Sequence, residues 1–290
     1  MPTPDFDKAA AFIAANARLI DQRRFECLFA HGDTKPVRDA VAAYRNADGG
    51  FGHALEPDLR GPGSQPAAAE MALRMLDEAD AWDEDLARGA CDWLTAVAPE
   101  EGGAAFAEAA PLAGGMHAPW WVPEEGHPAS LIATGMISGT LHARGVQHPW
   151  LDRATEVMWT RISKAGAETG GYEMFGVLAF LQHVPDRDRA TAVFGQVGSL
   201  LLENNLVAID PETTGEVHSV LDFAPLPDSL ARALFDEATI KAHLDHLAHA
   251  QRDDGGWTFN WPAWSPAAER DWRGFLTVDA LRVLRANGRL

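Results

Sequence analysis

The sequence predicts an all-α protein assembled from stacked helical hairpins, and three observations carry that expectation. Apolar residues recur at three-and-four spacing along nearly the whole chain. Strand-type alternation is nowhere convincing. Gly-Gly pairs, each preceded by acidic or polar residues and usually followed by an aromatic, recur four times.

Taken in order, helices are expected over about 5–31 and about 35–46. In QPAAAEMALRMLDEA, Ala68, Met71, Ala72, Met75, Leu76 and Ala79 fall on one face of a helix. Further helices are expected at about 83–97, 128–144, 150–165, 172–184 and 186–204. Ile240, Leu244, Leu247 and Ala248 define another, and the last is expected over about 274–287. The breaks at 47–64, 99–127, 205–227 and 251–272 exceed ordinary connections within a compact domain, so function is sought there.

The Gly-Gly stretches read AYRNADGGFGHALEPD from Ala43, APEEGGAAFAEA from Ala98, AGAETGGYEMFG from Ala165 and AQRDDGGWTFNW from Ala250. Each is expected to stop a helix, because glycine tolerates the left-handed conformation that ends one and the aromatic packs back on the turn.

The chain has 290 residues, 47% of them apolar, enough to bury a sizeable core. Its 42 acidic and 24 basic residues leave a formal charge of -18, which opposes binding to nucleic acid or anionic lipid. No stretch reaches the roughly 18 unbroken apolar residues of a membrane span. The opening MPTPDFDKAAAFIAANARLI has acidic residues and helical periodicity where a secretory leader has a basic start and an apolar run, so a cytoplasmic protein is expected. Cys27 and Cys91 sit in apparent helices and read as small buried hydrophobes.

QRDDGGW, Gln251 to Trp257, resembles the glutamine-tryptophan repeat of the squalene cyclase and protein prenyltransferase superfamily, and DGGF at Asp48 to Phe51 resembles its common variant. The resemblance implies one α/α toroid over residues 1–290, an inner ring of helices inside an outer ring, with the repeat joining the helix turns. It does not bring the superfamily's catalytic residues with it. The cyclase Asp-x-Asp-Asp string is absent, the nearest approaches being Asp83-Glu84-Asp85, Asp186-Arg187-Asp188 and Asp253-Asp254. The first two fall at helix starts, where carboxylates meet the helix dipole favourably. The prenyltransferase zinc set is not reproduced around Cys27 or Cys91, and no cofactor is expected.

Candidate chemistry therefore comes from the long loops. Glu56 and Asp58, beside Phe51 and supported by His53, are the first choice for a general acid or base, with Asp254 as a second carboxyl. The plainer alternative is that they cap helices or bond Arg60 and backbone amides. The spacing of His53, Glu56 and Asp58 matches no recognised metal-ligand set, so no metal is assigned. Trp120 and Trp121, Tyr172 and Glu173, and Trp257, Trp261, Trp264 and Trp272 complete the expected substrate wall. Glu216 and His218 form a further ionisable pair.

The resulting expectation is a small soluble terpenoid-cyclase-like enzyme performing acid-initiated cyclisation or isomerisation of an apolar, isoprenoid-type substrate, with no nucleic acid partner and no stable membrane insertion. A carbohydrate-active hydrolase or lyase with paired carboxylates stands as the alternative. A noncatalytic binder of a hydrophobic ligand or protein partner is the third reading.

Overall fold

The computed structural model describes residues 3–290. Among them the regular structure is helical: α1 (Phe6–Asn16), α2 (Leu19–Phe29), α3 (Lys35–Ala42), α4 (Pro66–Glu78), α5 (Glu84–Val97), α6 (Ala109–Leu112), α7 (Leu131–Ala143), α8 (Pro149–Ile162), α9 (Gly171–His183), α10 (Arg187–Glu203), α11 (Val220–Phe223), α12 (Glu237–His249) and α13 (Pro266–Ala286). A 3-10 turn covers Leu230–Leu234. Extended pairing among the described residues is limited to isolated bridges, Arg45 with Phe51, Leu59 with His117 and Ala208 with Ser219. No described helix is long and apolar enough to cross a membrane.

The chain divides into two compact units, one formed by residues 1–33 together with 201–290, the other by 34–200. In the first, α13 packs against α1, α2 and α12. Phe12, Ile13, Trp257, Val278, Leu281 and Leu284 form its core, with Phe6, Phe25 and Phe29 packed alongside. In the second unit, α7 is the hub, packed against α4, α8 and α9.

Element boundaries differ from the sequence reading most at two places. The helix expected over 5–31 is two helices, because Ala17 and Arg18 are both extended, with ψ of 155° and 156°. The last helix begins at Pro266, earlier than expected, with Ser265 accepting from the Ala268 N–H. Trp272 is consequently a helix residue.

The Gly-Gly stretches account for much of the loop structure. In the stretch from Asn46 to Phe51, the Asn46 N–H donates to Gly50 O (2.8 Å), the Gly49 N–H to Asn46 O (3.0 Å) and the Gly50 N–H to Asp48 Oδ1 (2.9 Å). The stretch from Arg252 to Trp257 repeats all three bonds, Arg252 to Gly256 O (2.9 Å), Gly255 to Arg252 O (2.9 Å) and Gly256 to Asp254 Oδ1 (3.1 Å). The first glycine is left-handed in both, with φ of 95° at Gly49 and 92° at Gly255.

Each turn docks on two helix positions four apart. A Cβ on Gly49 would meet Gly89 O at 2.6 Å, and one on Gly50 the Trp93 ring at 2.6 Å, both on α5. A Cβ on Gly255 would collide with Lys8 O, and one on Gly256 would meet the Phe12 ring at 2.7 Å, both on α1. Gly102 repeats part of the pattern, with φ of 101°, an N–H bond to Pro99 O (2.8 Å) and packing on Arg153 and Val157 of α8. The fourth stretch corrects the sequence reading. Gly170 has φ of -86° and is the N-cap of α9, so this pair starts a helix where a stop was expected.

Glycine also sets the α7–α9 contact. A Cβ on Gly139 would lie 2.5 Å from Ala179 O, while one on Gly135 or Gly176 would collide with Gly176 O and Leu131 O respectively. The two backbones touch where side chains ordinarily intervene. Gly176→Ala forces α7 and α9 apart, and we expect it to lower unfolding stability by about 1–3 kcal/mol, as overpacking typically does. Chemical denaturation followed by circular dichroism measures this, and wild-type stability in the variant would show that the contact is loose.

Candidate functional site

The loop from Tyr44 to Gln65 carries the principal carboxyls. Its chain is pinned by backbone bonds from Gly52 N to Tyr44 O (3.1 Å), His53 N to Gly61 O (3.0 Å) and Gln65 N to Phe51 O (2.9 Å). Those constraints drive His53 and Ala54 to φ of 58° and 63°, unusual for residues with a Cβ and a form of strain common at functional positions. Immediately afterwards come Glu56 and Asp58, only 5% and 3% exposed. Glu56 Oε2 accepts from the Asp58 N–H at 2.9 Å.

The 114–127 loop folds onto this segment. The Ala118 N–H donates to Asp58 O (2.9 Å), and the Arg60 and Gly61 N–H groups share Met116 O at 2.8 and 3.1 Å. Trp121 stacks on Phe106 with centroids 4.7 Å apart, and both rings pack on the cluster of Leu59, Ala107 and Leu112. Its Nε1 is buried without a hydrogen-bond partner among the described residues. Two buried carboxyl residues and an aromatic wall are thus joined through Leu59. A narrow crevice of about 10 Å³ lies beside Leu59, Gln65, Leu112 and Met116. Trp120 is exposed, and so is His53, whose Nε2 pairs with Asn46 Oδ1 at 2.9 Å. His53 therefore belongs to the turn network, in which Asn46 Nδ2 donates to Ser64 Oγ (2.9 Å) and Ser64 Oγ to Asp48 Oδ1 (2.8 Å). Among the described residues no group of three or more His, Cys, Asp or Glu is placed to hold a metal.

The aromatics of the turns serve the core. Phe51 is fully buried, and Trp257 is 3% exposed with its Nε1 donating to Leu247 O at 2.8 Å. Asp254 accepts from Arg273 through both carboxylate oxygens at 2.8 Å and from the Gly256 N–H. Partial burial on its own would raise the Asp254 pKa, but the bonds from Arg273 and Gly256 outweigh it and hold the carboxyl below its usual range. This is an anion fastening a turn, a poor proton donor. Glu173 folds back over Gly170 at the start of α9, and Tyr172 is exposed, its ring in a T-shaped contact with Phe175.

In the first unit, Phe259 stacks on Trp261 (4.5 Å), Trp261 meets Trp272 edge-on (5.4 Å) and Trp272 meets Phe275 (5.8 Å). Trp264 buries its Nε1 with no hydrogen-bond partner among the described residues. The aromatic ladder ends at Arg24, whose guanidinium lies 4.6 Å from the Phe275 centroid. Arg24 and Asp21 are both fully buried, with Arg18 Nε 2.8 Å from Asp21 Oδ2 and Arg24 Nη1 3.3 Å from Oδ1.

Two further carboxyls went unnoticed in the sequence. Asp222 caps α11 in a reciprocal box with Ser219, its Oδ2 accepting from the Ser219 N–H at 2.6 Å, and Ser-x-x-Asp was the available signal. Surrounding protein raises its pKa despite these bonds, and burial likewise lowers that of neighbouring His218. Glu70, on α4, has its carboxyl pushed up by burial although Arg74 Nε lies 3.0 Å away. Cys91 is buried and its thiol is pushed up to about 12, leaving it an unreactive core residue.

The fold and site thus define an all-helical protein whose glycine turns hold a loop with two buried carboxyl residues beside an aromatic wall. No protein-family model matches this chain, and no curated protein matches it as a relative.

The Asp254 turn has a definite pH signature. A depressed folded-state pKa means its stabilisation is complete above the ordinary aspartate value and is lost as pH falls through the lowered one. Asp254→Asn should cost about 1 kcal/mol near neutral pH. Its melting temperature should begin to approach that of wild type as pH falls below about 4 and meet it only once pH has passed the lowered pKa. A pH-independent difference in thermal melts would assign the loss to packing.

Proposed function

We propose that residues 1–290 form a single α/α toroid related in design to the terpenoid cyclases, and that the protein is an enzyme performing acid-initiated cyclisation or isomerisation of an apolar, isoprenoid-type substrate. The observation that carries the fold is the pair of matching turns. Each seats its glycines on two positions of an adjacent helix, and the turn at 252–257 seats on α1, near the start of the sequence. A row of hairpins whose last turn docks on the first helix is the connectivity a ring requires.

Asp58 is the proton donor in this reading, with Glu56 holding its backbone and Trp121 and Phe106 supplying π faces for cationic intermediates. Asp254 is a weaker candidate than the sequence suggested, because the bonds from Arg273 and Gly256 keep it ionised. A cytoplasmic setting agrees with Cys27 and Cys91 standing outside any disulfide. The hydrolase alternative draws on the same closely spaced carboxyls, Glu56 and Asp58.

Incubation with prenyl diphosphates and their hydrocarbon analogues, with product analysis and tryptophan emission as readouts, tests this reading. Asp58→Asn should reduce turnover about 100- to 10,000-fold while leaving the circular dichroism unchanged. A folded Asp58→Asn protein keeping more than about a tenth of wild-type activity removes Asp58 from the mechanism. A response to oligosaccharides alone would select the carbohydrate alternative.

A further inference from the structure

A cleft of about 350 Å³ opens in the first unit beside α12, lined by Pro227, Arg232, Phe235, Glu237, Ile240, Lys241, Leu244 and Arg289. Its size suits a small organic molecule. The floor is apolar, since Ile240 and Leu244 are 8% and 5% exposed and lie one turn apart on α12. The walls bear three cations in a chain whose formal charge is -18.

Those cations differ in how they are compensated. Lys241 Nζ and Arg289 Nη1 each lie 2.7 Å from a carboxylate oxygen of Asp245. Arg232 instead gives its hydrogen bonds to neutral oxygens: Nε to Ala224 O (2.9 Å), and Nη2 to Pro225 O (3.3 Å) and Asn287 Oδ1 (2.6 Å). Burial lowers its pKa, and among the described residues no carboxylate offsets this. The carbonyls fix the guanidinium in place without neutralising it. Glu237 stands on the wall and Asp245 lies behind Lys241 and Arg289, whereas the hydrogen bonds of Arg232 go to neutral oxygens.

We propose that this cleft binds a small amphiphile with one anionic head, a carboxylate or phosphate monoester, which pairs with Arg232 while a short hydrocarbon chain lies over Phe235, Ile240 and Leu244. With Nε and Nη2 held by these oxygens, Nη1 remains to donate a charge-assisted hydrogen bond to either head group. The cleft lies outside the residues assigned to catalysis, and this inference stands whether or not the toroid reading does.

The probes are octanoate and octyl phosphate, with 1-octanol and inorganic phosphate as the uncharged and chainless controls, titrated calorimetrically into the full-length protein. Either anionic amphiphile should bind with a Kd on the order of 1 mM or tighter, and each control at least about tenfold more weakly. The stronger of the two amphiphiles identifies the head group. Arg232→Gln should weaken binding about tenfold, and Lys241→Glu, at an exposed position, should do likewise while leaving the fold intact. Should Arg232→Gln fail to fold, Lys241→Glu decides alone. No binding of either amphiphile, equal binding of octanol or of inorganic phosphate, or wild-type affinity in the folded variants would overturn the proposal.

Discussion

A glycine backbone pressed against the carbonyl of a neighbouring helix is the contact on which the rest of this structure depends. Gly49 meets Gly89 O and Gly255 meets Lys8 O in this way, each from a left-handed conformation that side chains rarely tolerate. Close approach lets the next glycine admit an aromatic ring from the same helix, and the carboxylate just before the pair satisfies the second glycine's N–H. The long loops are consequently anchored at one end, and the first of them carries Glu56 and Asp58 into the interior.

Buried charge is the second constraint, and it is met differently in the two units. Asp21 sits between Arg18 and Arg24, with the Phe275 face on the guanidinium of Arg24. Removing one partner of such a set leaves an uncompensated ion away from water, a change far costlier than losing a surface pair. Glu70 and Arg74 are one helical turn apart on α4, where burial competes with the ion pair and raises the carboxyl pKa. Asp254, on the surface side of its turn, stays firmly ionised. Carboxyls of Glu70 and Asp254 are thus shifted in opposite directions according to what surrounds them.

Most helices were legible because their apolar spacing survives in any context, and the Gly-Gly turns because glycine has few substitutes at positive φ. The fourth Gly-Gly pair misled because Thr169 stands where the other three have an acidic residue. Its hydroxyl accepts from Gly166, facing back along the chain, where Asp48 and Asp254 reach forward to a glycine N–H. The break at Ala17 and Arg18 had no local signal, both being good helix formers; Gly274 of α13 packs against Ala17 there, a tertiary contact. At the candidate site the carboxyls were legible as loop residues. Their union with Trp121 was not, since the bridge from Leu59 to His117 joins distant segments that share no periodicity. His53 seemed a neighbour of Asp58 by spacing, yet the left-handed backbone at His53 and Ala54 takes its ring to Asn46.

The pairing of Gln251 with Asp5, in which the side-chain amide both accepts from the Asp5 N–H (2.6 Å) and donates to its carbonyl (2.8 Å), spans 246 residues of sequence. Synthesis on the ribosome is vectorial, so α1 and α2 emerge long before α12 and α13 exist to cover Phe12, Ile13 and Phe25. The unit formed by residues 34–200 is one continuous stretch of sequence and can assemble while the chain is still growing. The first two helices must wait, with an apolar face exposed for the time that some 200 residues take to be added, a demand on holdase chaperones that the finished protein no longer displays.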